Sequence, residues 1–391
     1  MISVTDALTH LFALTNELPS ETVPLGRANG RVLATAVSAK RDQPPFSASA
    51  MDGYGVASEG AAPGAKYTVI GEAAAGHAFD GIVGSREAVR IFTGAPVPKG
   101  VDRVIIQEDV VRDGDVITIA DRLDKGFHIR PAGGDFQVGQ TINAPRELRP
   151  SDVALMASMN IANVPVIRRP KVAILSTGDE LVMPGEAPGP DQIIASNSFG
   201  LQAMLRDAGC EARLLPIARD TRASLEAAFD LVDDADLLIT IGGASVGDHD
   251  LVGDVAQNLG MQRSFYKIAM RPGKPLMAGT LANGAMMIGL PGNPVSALVC
   301  GHVFVLPVVR AMLGLGQAPT PRLTAKLAAP APQNGPREHY MRAHVAHGEL
   351  TTFDNQDSSL LSILSDANAL LVCPPNCPEL AVGTDVQYLP I

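Results

Sequence analysis

The chain has 391 residues, a formal net charge of −10, and 46% hydrophobic against 18% charged residues. That length predicts three or four domains, with apolar material for several cores. A nucleic-acid binder normally carries the opposite sign of charge in Lys/Arg runs, and this chain has no such run, which excludes nucleic acid as a partner.

Glycine (38) and proline (30) make up about 17% of the chain, above the usual ~12%, which predicts many tight turns and much β structure. The opening residues "MISVTDALTHLFALT" carry Asp6 and His10 and no basic leader, so no signal peptide is expected. The apolar stretch "LVCGHVFVLPVVRAMLGLG" is interrupted by His302, Pro307 and Arg310 and predicts no membrane span. Four cysteines, at 210, 300, 373 and 377, are too scattered for a disulfide framework, so a reduced, cytoplasmic protein is expected.

In chain order, residues 3–18 show helical apolar spacing, with Ser3 or Thr5 as cap. From 46 to about 140, runs such as "KYTVIGEA", "EAVRIFTG" and "DVITIA" alternate with Gly/Pro/Asp turns, predicting an all-β module. "RPSDVALMASMNI" predicts a helix capped by Ser151. From 169 the texture becomes α/β. Strands are expected at 171–176, 212–217, 236–241, 264–270 and 285–289, and helices near 197–209, 222–233, 250–260 and after "PGNPVSALV". Such alternation predicts a doubly wound, mainly parallel sheet. "GLGQAPTPR" reads as a linker, and the remainder from about 323 to 391 as a small barrel or sheet.

In open α/β sheets ligands bind beyond the carboxyl ends of the strands. Three strands here end in unusual loops: "STGDEL" (Thr177, Gly178, Asp179, Glu180), "GGASVGDHD" (Gly242, Gly243, Ser245, Asp248, Asp250) and "LPGNPVSA" (Pro291, Asn293, Pro294). Glycine lets backbone N–H groups approach an anion, and a helix N-terminus adds a favourable dipole. Carboxylates beside such a nest repel phosphate unless a hard cation stands between, and Mg²⁺ held by one or two carboxylates plus phosphate oxygens is the usual solution. A phosphate-bearing ligand with Mg²⁺ is therefore the reading of Asp179, Glu180, Asp220, Asp248 and Asp250. No Walker A or G-x-G-x-x-G pattern is present, which excludes a P-loop or a dinucleotide Rossmann site. "YKIAMRPGKP" supplies an anion clamp: strand alternation places Lys267 and Arg271 on one face, and the Pro-Gly turn brings Lys274 near.

Seven ordered motifs, "PFSASAMDGY", "TGAPVPKGVD", "RPAGGDFQVG", "STGDEL", "GGASVGDHD", "KIAMRPGKP" and "LPGNPVSA", resemble the molybdopterin molybdenumtransferase family (MoeA, the gephyrin E-domain family) over nearly the whole chain. The resemblance implies a multidomain α+β protein: an extended linker domain (1–45 plus 140–168), an inserted β domain (46–139), an α/β molybdopterin-binding domain (169–315) and a C-terminal β-barrel (320–391). It implies a homodimer with the active cleft between subunits, and insertion of molybdate into adenylylated molybdopterin with Mg²⁺-dependent release of AMP. The implied catalytic residues are Asp52, Thr93, Asp135, Glu180, Asp220 and Asp250, with Asp220 and Asp250 on Mg²⁺. Arg130 pairs with Asp135 in its motif, and Lys267, Arg271 and Lys274 form the basic run. Implied partners are the molybdopterin adenylyltransferase and acceptor molybdoenzymes. Ser47, Arg271, Asp357 and Ser359 depart from common family residues, the last two replacing glycines. A molybdopterin adenylyltransferase-like enzyme shares the α/β architecture, but the attached β domains argue against it. A scaffold role like that of gephyrin would need an anchoring segment, and no such segment is evident.

Overall fold

A computed structural model describes residues 1–243 and 251–391. Contacts divide the chain into two units: Met1–Glu21, Gly30–Ala34 and Val166–Ile391 form one, and Thr22–Asn29 with Thr35–Pro165 the other. This division is coarser than the four domains expected. It also groups residues 1–21 with the α/β part, because Val4, Ala7, Leu8 and Leu11 of the first helix are buried in that unit's core.

In the first unit a six-stranded sheet runs Glu211–Leu214, Lys171–Ser176, Leu237–Ile241, Met286–Leu290, Met277–Thr280, Gln262–Tyr266. The first four strands pair in parallel and the last two antiparallel. The Leu237–Ile241 strand is buried throughout, as parallel strands covered on both faces must be. Alternate residues feed two cores. Val172, Ile174, Leu237 and Ile239 face one that includes the first helix and the helices Asn197–Asp207 and Pro294–Cys300. Ala173, Leu175 and Leu238 face another, closed by Arg222–Phe229 and Leu251–Asn258. The sheet is doubly wound.

Four expectations need correction. The first helix ends at Ala13, short of residue 18, and Ser3 is its cap, accepting from the Asp6 N–H at 3.0 Å. Ser151 does not cap the helix Pro150–Ser158. Arg149 holds the cap position, and Pro150 opens the helix, where its missing N–H costs no bond. Residues 264–270 are not one strand. Lys267 adopts φ +70°, breaking the extended run after Tyr266, and Met270–Arg271 pairs instead with the strand Glu338–Ala346. Met277–Thr280 is an additional strand, folded back on Met286–Leu290 through a turn containing Gly284.

Pro294–Met312 is a continuous apolar helix of 19 residues with mean hydropathy 1.8, of which 78% is buried. Val299, Phe304 and Val308 lie in the sheet's core, so it is a core helix. Pro307 has no N–H for the ladder, and around it the turn widens: the Leu306 N–H reaches back to the Gly301 carbonyl.

The C-terminal strands close into a five-stranded barrel: Glu338–Ala346, Glu349–Thr352, Leu323–Leu327, Asp385–Pro390, Ala369–Cys373 and back to Glu338–Ala346. Small and branched residues fill it, among them Ala325, Ala343, Leu350, Ala369 and Leu371. The second unit is built on a six-stranded sheet whose two faces bury Tyr54, Ile105 and Ile117 on one side and Val89, Ile91 and Val104 on the other.

Candidate active site

Three parallel strands deliver their carboxyl ends to one cleft of about 1040 Å³. Ser176, Thr177 and Gly178 follow the first, Gly242 and Gly243 the second, and Pro291, Gly292 and Asn293 the third. Backbone bonds carry the sheet register into these loops: Thr177 N–H donates to Ile241 O at 3.0 Å, and Gly242 N–H to Leu290 O at 3.1 Å. The glycines are required by space as well as by conformation. At Gly243 (φ +66°) a Cβ would stand 2.2 Å from Val252 Cγ2, and at Gly242 (φ +92°) 2.7 Å from the Thr177 carbonyl oxygen. Gly178, also in a positive-φ conformation, leaves room for Glu180, whose carboxylate folds back to within 2.3 Å of where a Cβ would lie.

Of the carboxylates expected from sequence, Glu180 and Asp220 line this cleft. Asp254, in the first turn of the helix Leu251–Asn258, lines it too and was not anticipated. Ser245, Asp248 and Asp250 lie outside the described residues. Among the described residues no group of three metal-ligating side chains gathers. Mg²⁺ needs only one or two carboxylates when phosphate oxygens complete its shell, and the exposed Asp220 fits that requirement.

Arg219 was also missed in the sequence. Its guanidinium Nη1 donates to the carbonyls of Asp179 (2.9 Å), Leu181 (3.1 Å) and Gly178 (3.4 Å). The next N–H, that of Asp220, donates to Asp179 Oδ1 at 3.2 Å. Two loops from different strands are thus stapled together, and they bring Glu180 and Asp220 to the same cleft.

Beside the cleft lies a smaller pocket of about 310 Å³, sharing Pro275, Pro291 and Asn293 with it. Arg271, Lys274 and Arg337 line this annex, together with Gln356, Asp357 and Ser358 of the C-terminal segment. Asn293 Nδ2 donates to Ser358 Oγ at 3.1 Å, tying barrel loop to strand end. Behind the annex Arg342 is 1% exposed and donates to the Gln356 Oε1 and Asp357 carbonyl oxygens at 3.1 and 2.7 Å. His339 is buried among Arg271, Arg342 and Arg337; burial first, and then those cations, push its pKa down to about 4 and leave it uncharged. The annex is therefore cationic, with Asp357 as a single carboxylate at its edge. Ser359 hydroxyl and backbone bonds (2.6 and 2.8 Å) hold Asp357 ionised and lower its pKa. Lys267 is not among the residues lining cleft or annex. Its left-handed backbone defeats the alternation argument, and its ammonium sits 4.7 Å from the Tyr266 ring centre.

In the second unit Asp52 and Thr93 meet directly. Asp52 Oδ1 accepts from the Thr93 N–H (2.7 Å) and hydroxyl (2.8 Å), which lowers the carboxyl pKa. Arg90 lies over the Tyr54 and Phe92 rings at 5.0 and 4.8 Å, flanking the pair. Arg130 pairs in a short strand with Ala48, and Asp135 hangs by its N–H from the Gln43 carbonyl at 2.9 Å; both side chains are exposed.

Residues 2–160 match the model of the MoeA N-terminal region (domain I and II). Residues 173–311 match a probable molybdopterin binding domain, and 324–391 the MoeA C-terminal region (domain IV). The chain is similar to molybdopterin molybdenumtransferase 2 of Mycobacterium tuberculosis, with 37% identity over 94% of each chain. It is similar to the molybdopterin molybdenumtransferase of Nostoc sp., with 35% identity over 100% of this chain and 94% of that one. Its fold is similar to the crystal structure of the molybdopterin biosynthesis MoeA protein of Pyrococcus horikoshii, with a TM-score of 0.85 and 27% identity, covering 100% of both chains.

Proposed function

Since the chain belongs to the MoeA family of molybdopterin molybdenumtransferases, we propose that its α/β cleft binds adenylylated molybdopterin while the cationic annex holds molybdate. The enzyme is a transferase of molybdenum cofactor biosynthesis. The observation that carries the site reading is the junction of the two pockets. A cleft large enough for a nucleotide-sized ligand opens through Pro275, Pro291 and Asn293 onto a space ringed by Arg271, Lys274 and Arg337. In a protein of net charge −10, a small dianion needs such a local cationic setting.

The residues divide the work. The turns at Gly178, Gly242 and Gly243, with Thr177, border the phosphate side, and Asn293 and Pro294 present a helix start to it. Arg271 and Lys274 hold the oxyanion against the pterin end of the ligand. Asp220, with Asp250 outside the described residues, would hold Mg²⁺, which when bound neutralises phosphate oxygens. Glu180 and Asp220 orient a water for attack on phosphorus and accept its proton, so that the phosphoanhydride breaks and AMP leaves. Catalysis of this kind is positioning and electrostatics, with no covalent enzyme intermediate.

The protein acts as a homodimer in the cytoplasm under this proposal. The active cleft then lies between subunits, with Asp52, Thr93, Arg130 and Asp135 of one chain completing the reaction centre of the other, and the molybdopterin adenylyltransferase and acceptor molybdoenzymes are the pathway partners. Analytical sedimentation at working concentration should give the mass of two chains, and a single-chain mass would remove the dimer from the proposal.

The reaction is tested by following AMP release from adenylylated molybdopterin with molybdate and Mg²⁺. Asp220→Asn should lower turnover by about a hundredfold or more, the scale of losing one positioned catalytic group, with pterin binding retained. Lys274→Ala should instead raise the molybdate concentration needed for half-maximal rate. Wild-type rates in both variants would refute the assignment.

A further inference from the structure

Among the described residues, the cleft lining holds no aromatic or histidine side chain. Against these residues a ligand with a flat fused heteroaromatic ring would rest that ring on aliphatic surface. Of the aliphatic groups at the cleft, Ile241 is spent on the core at 3% exposed, and Leu181, Leu251, Pro275 and Pro294 are half-buried. Two stand out as exposed. Ile193 is 59% and Ile194 38% exposed, although a strand isoleucine normally buries its side chain. They form one strand of a two-stranded parallel flap, paired with Leu181–Val182.

We infer that this flap is the seat of the ligand's heteroaromatic ring, with Ile193 or Ile194 as the surface on which the ring lies. The inference rests on the functional reading above and adds the specificity element for the ring. Successive strand residues face opposite ways, so one isoleucine presents its side chain to the ring while the other borders the space with its backbone.

The flap is also tied to the reacting end of the cleft. Ile193 N–H donates to the Glu180 carbonyl at 2.7 Å, and Ala195 N–H to the Val182 carbonyl at 2.9 Å. The Arg219 guanidinium grips the carbonyls of Gly178, Asp179 and Leu181 at the flap's base. Ring seat, Glu180 and Asp220 therefore share one hydrogen-bonded frame. The distance from ring to carboxylates is set by backbone rather than by flexible side chains. That is the arrangement a ligand with a ring at one end and phosphates at the other requires.

Two ring sources share this chemistry, the adenine of the adenylate and the pterin itself, and separate titrations distinguish them. The chain has no tryptophan, so pterin emission can be followed without protein interference. AMP, free molybdopterin and inorganic pyrophosphate are titrated against the full-length wild type, Ile193→Ser, Ile194→Ser and the conservative Ile193→Val and Ile194→Val. Either Ile193→Ser or Ile194→Ser should weaken AMP or molybdopterin by about tenfold, the scale of one branched side chain losing its contact. Pyrophosphate binding should be unchanged, and the valine variants should retain most of the affinity. Loss confined to AMP assigns the adenine to the flap, and loss confined to molybdopterin assigns the pterin. If both serine variants bind both ring ligands as the wild type does, the flap is not the seat. A wild-type chain that binds neither ligand would instead overturn the functional reading. Neither side chain belongs to the core, so the unfolding midpoints of the variants should match the wild type.

Discussion

Single residues at the strand ends are constrained from two directions at once. Gly243 has a backbone conformation that side chains resist, and Val252 Cγ2 occupies the place of its missing Cβ. Gly243→Ala therefore has to move either the loop or the helix Leu251–Asn258, which carries Asp254 into the cleft. The expected result is a protein destabilised by about 1–3 kcal/mol in chemical unfolding and weakened for adenylylated molybdopterin. An alanine variant with unchanged unfolding and unchanged affinity would show that the close approach to Val252 is not needed. Gly178, Gly242 and Gly243 were legible in the sequence as turns at strand ends, and three loops of small and polar residues in one α/β unit marked that edge of the sheet. Arg219 was not. An arginine next to an aspartate gives no hint that its guanidinium will gather three carbonyls from a loop some forty residues earlier.

At the level of elements, periodicity was a sound guide where burial was two-sided. The runs at 171–176 and 237–241 are apolar in nearly every position, and both are central parallel strands with alternate residues in separate cores. It misled where one residue changed backbone region. Lys267 in the left-handed region ends one strand, and Arg271 is then handed to the barrel's sheet opposite His339. The consequence is functional. Arg271 reaches the annex because it sits at the seam of sheet and barrel, and Lys267 does not line that space. Ile193 and Ile194 illustrate another blind spot: in sequence they read as a short apolar pair, and only their exposure in a two-stranded flap makes them candidates for ligand contact. Asp357 and Ser359, which replace glycines common in the family, are accommodated by bonding to each other.

For the whole molecule, two buried histidines make stability depend on pH. Burial pushes the pKa of His302 down to about 4, and His339 likewise, from an ordinary value of 6.5. Between pH 6.5 and 4 the unfolded chain therefore binds protons that the folded chain refuses. Stability should be full above pH 6.5 and fall as pH drops toward 4, by about 2–3 kcal/mol for each histidine. Urea unfolding at pH 7 and pH 5 measures this, and His302→Gln should flatten the slope; an identical slope would place the proton uptake elsewhere.

The order of motifs, the glycine turns, the α/β alternation and the β-rich flanks were determined by sequence alone, because local conformational preference and apolar period leave few alternatives. The family membership that those motifs suggested is matched along the chain. Tertiary structure alone decided which charges meet. The annex assembles Arg271, Lys274 and Arg337 across a seam between sheet and barrel, and the cleft joins Glu180 to Asp220 through Arg219. Such meetings depend on how separate elements pack, and no short-range pattern along the chain encodes a distance between residues that only packing brings together.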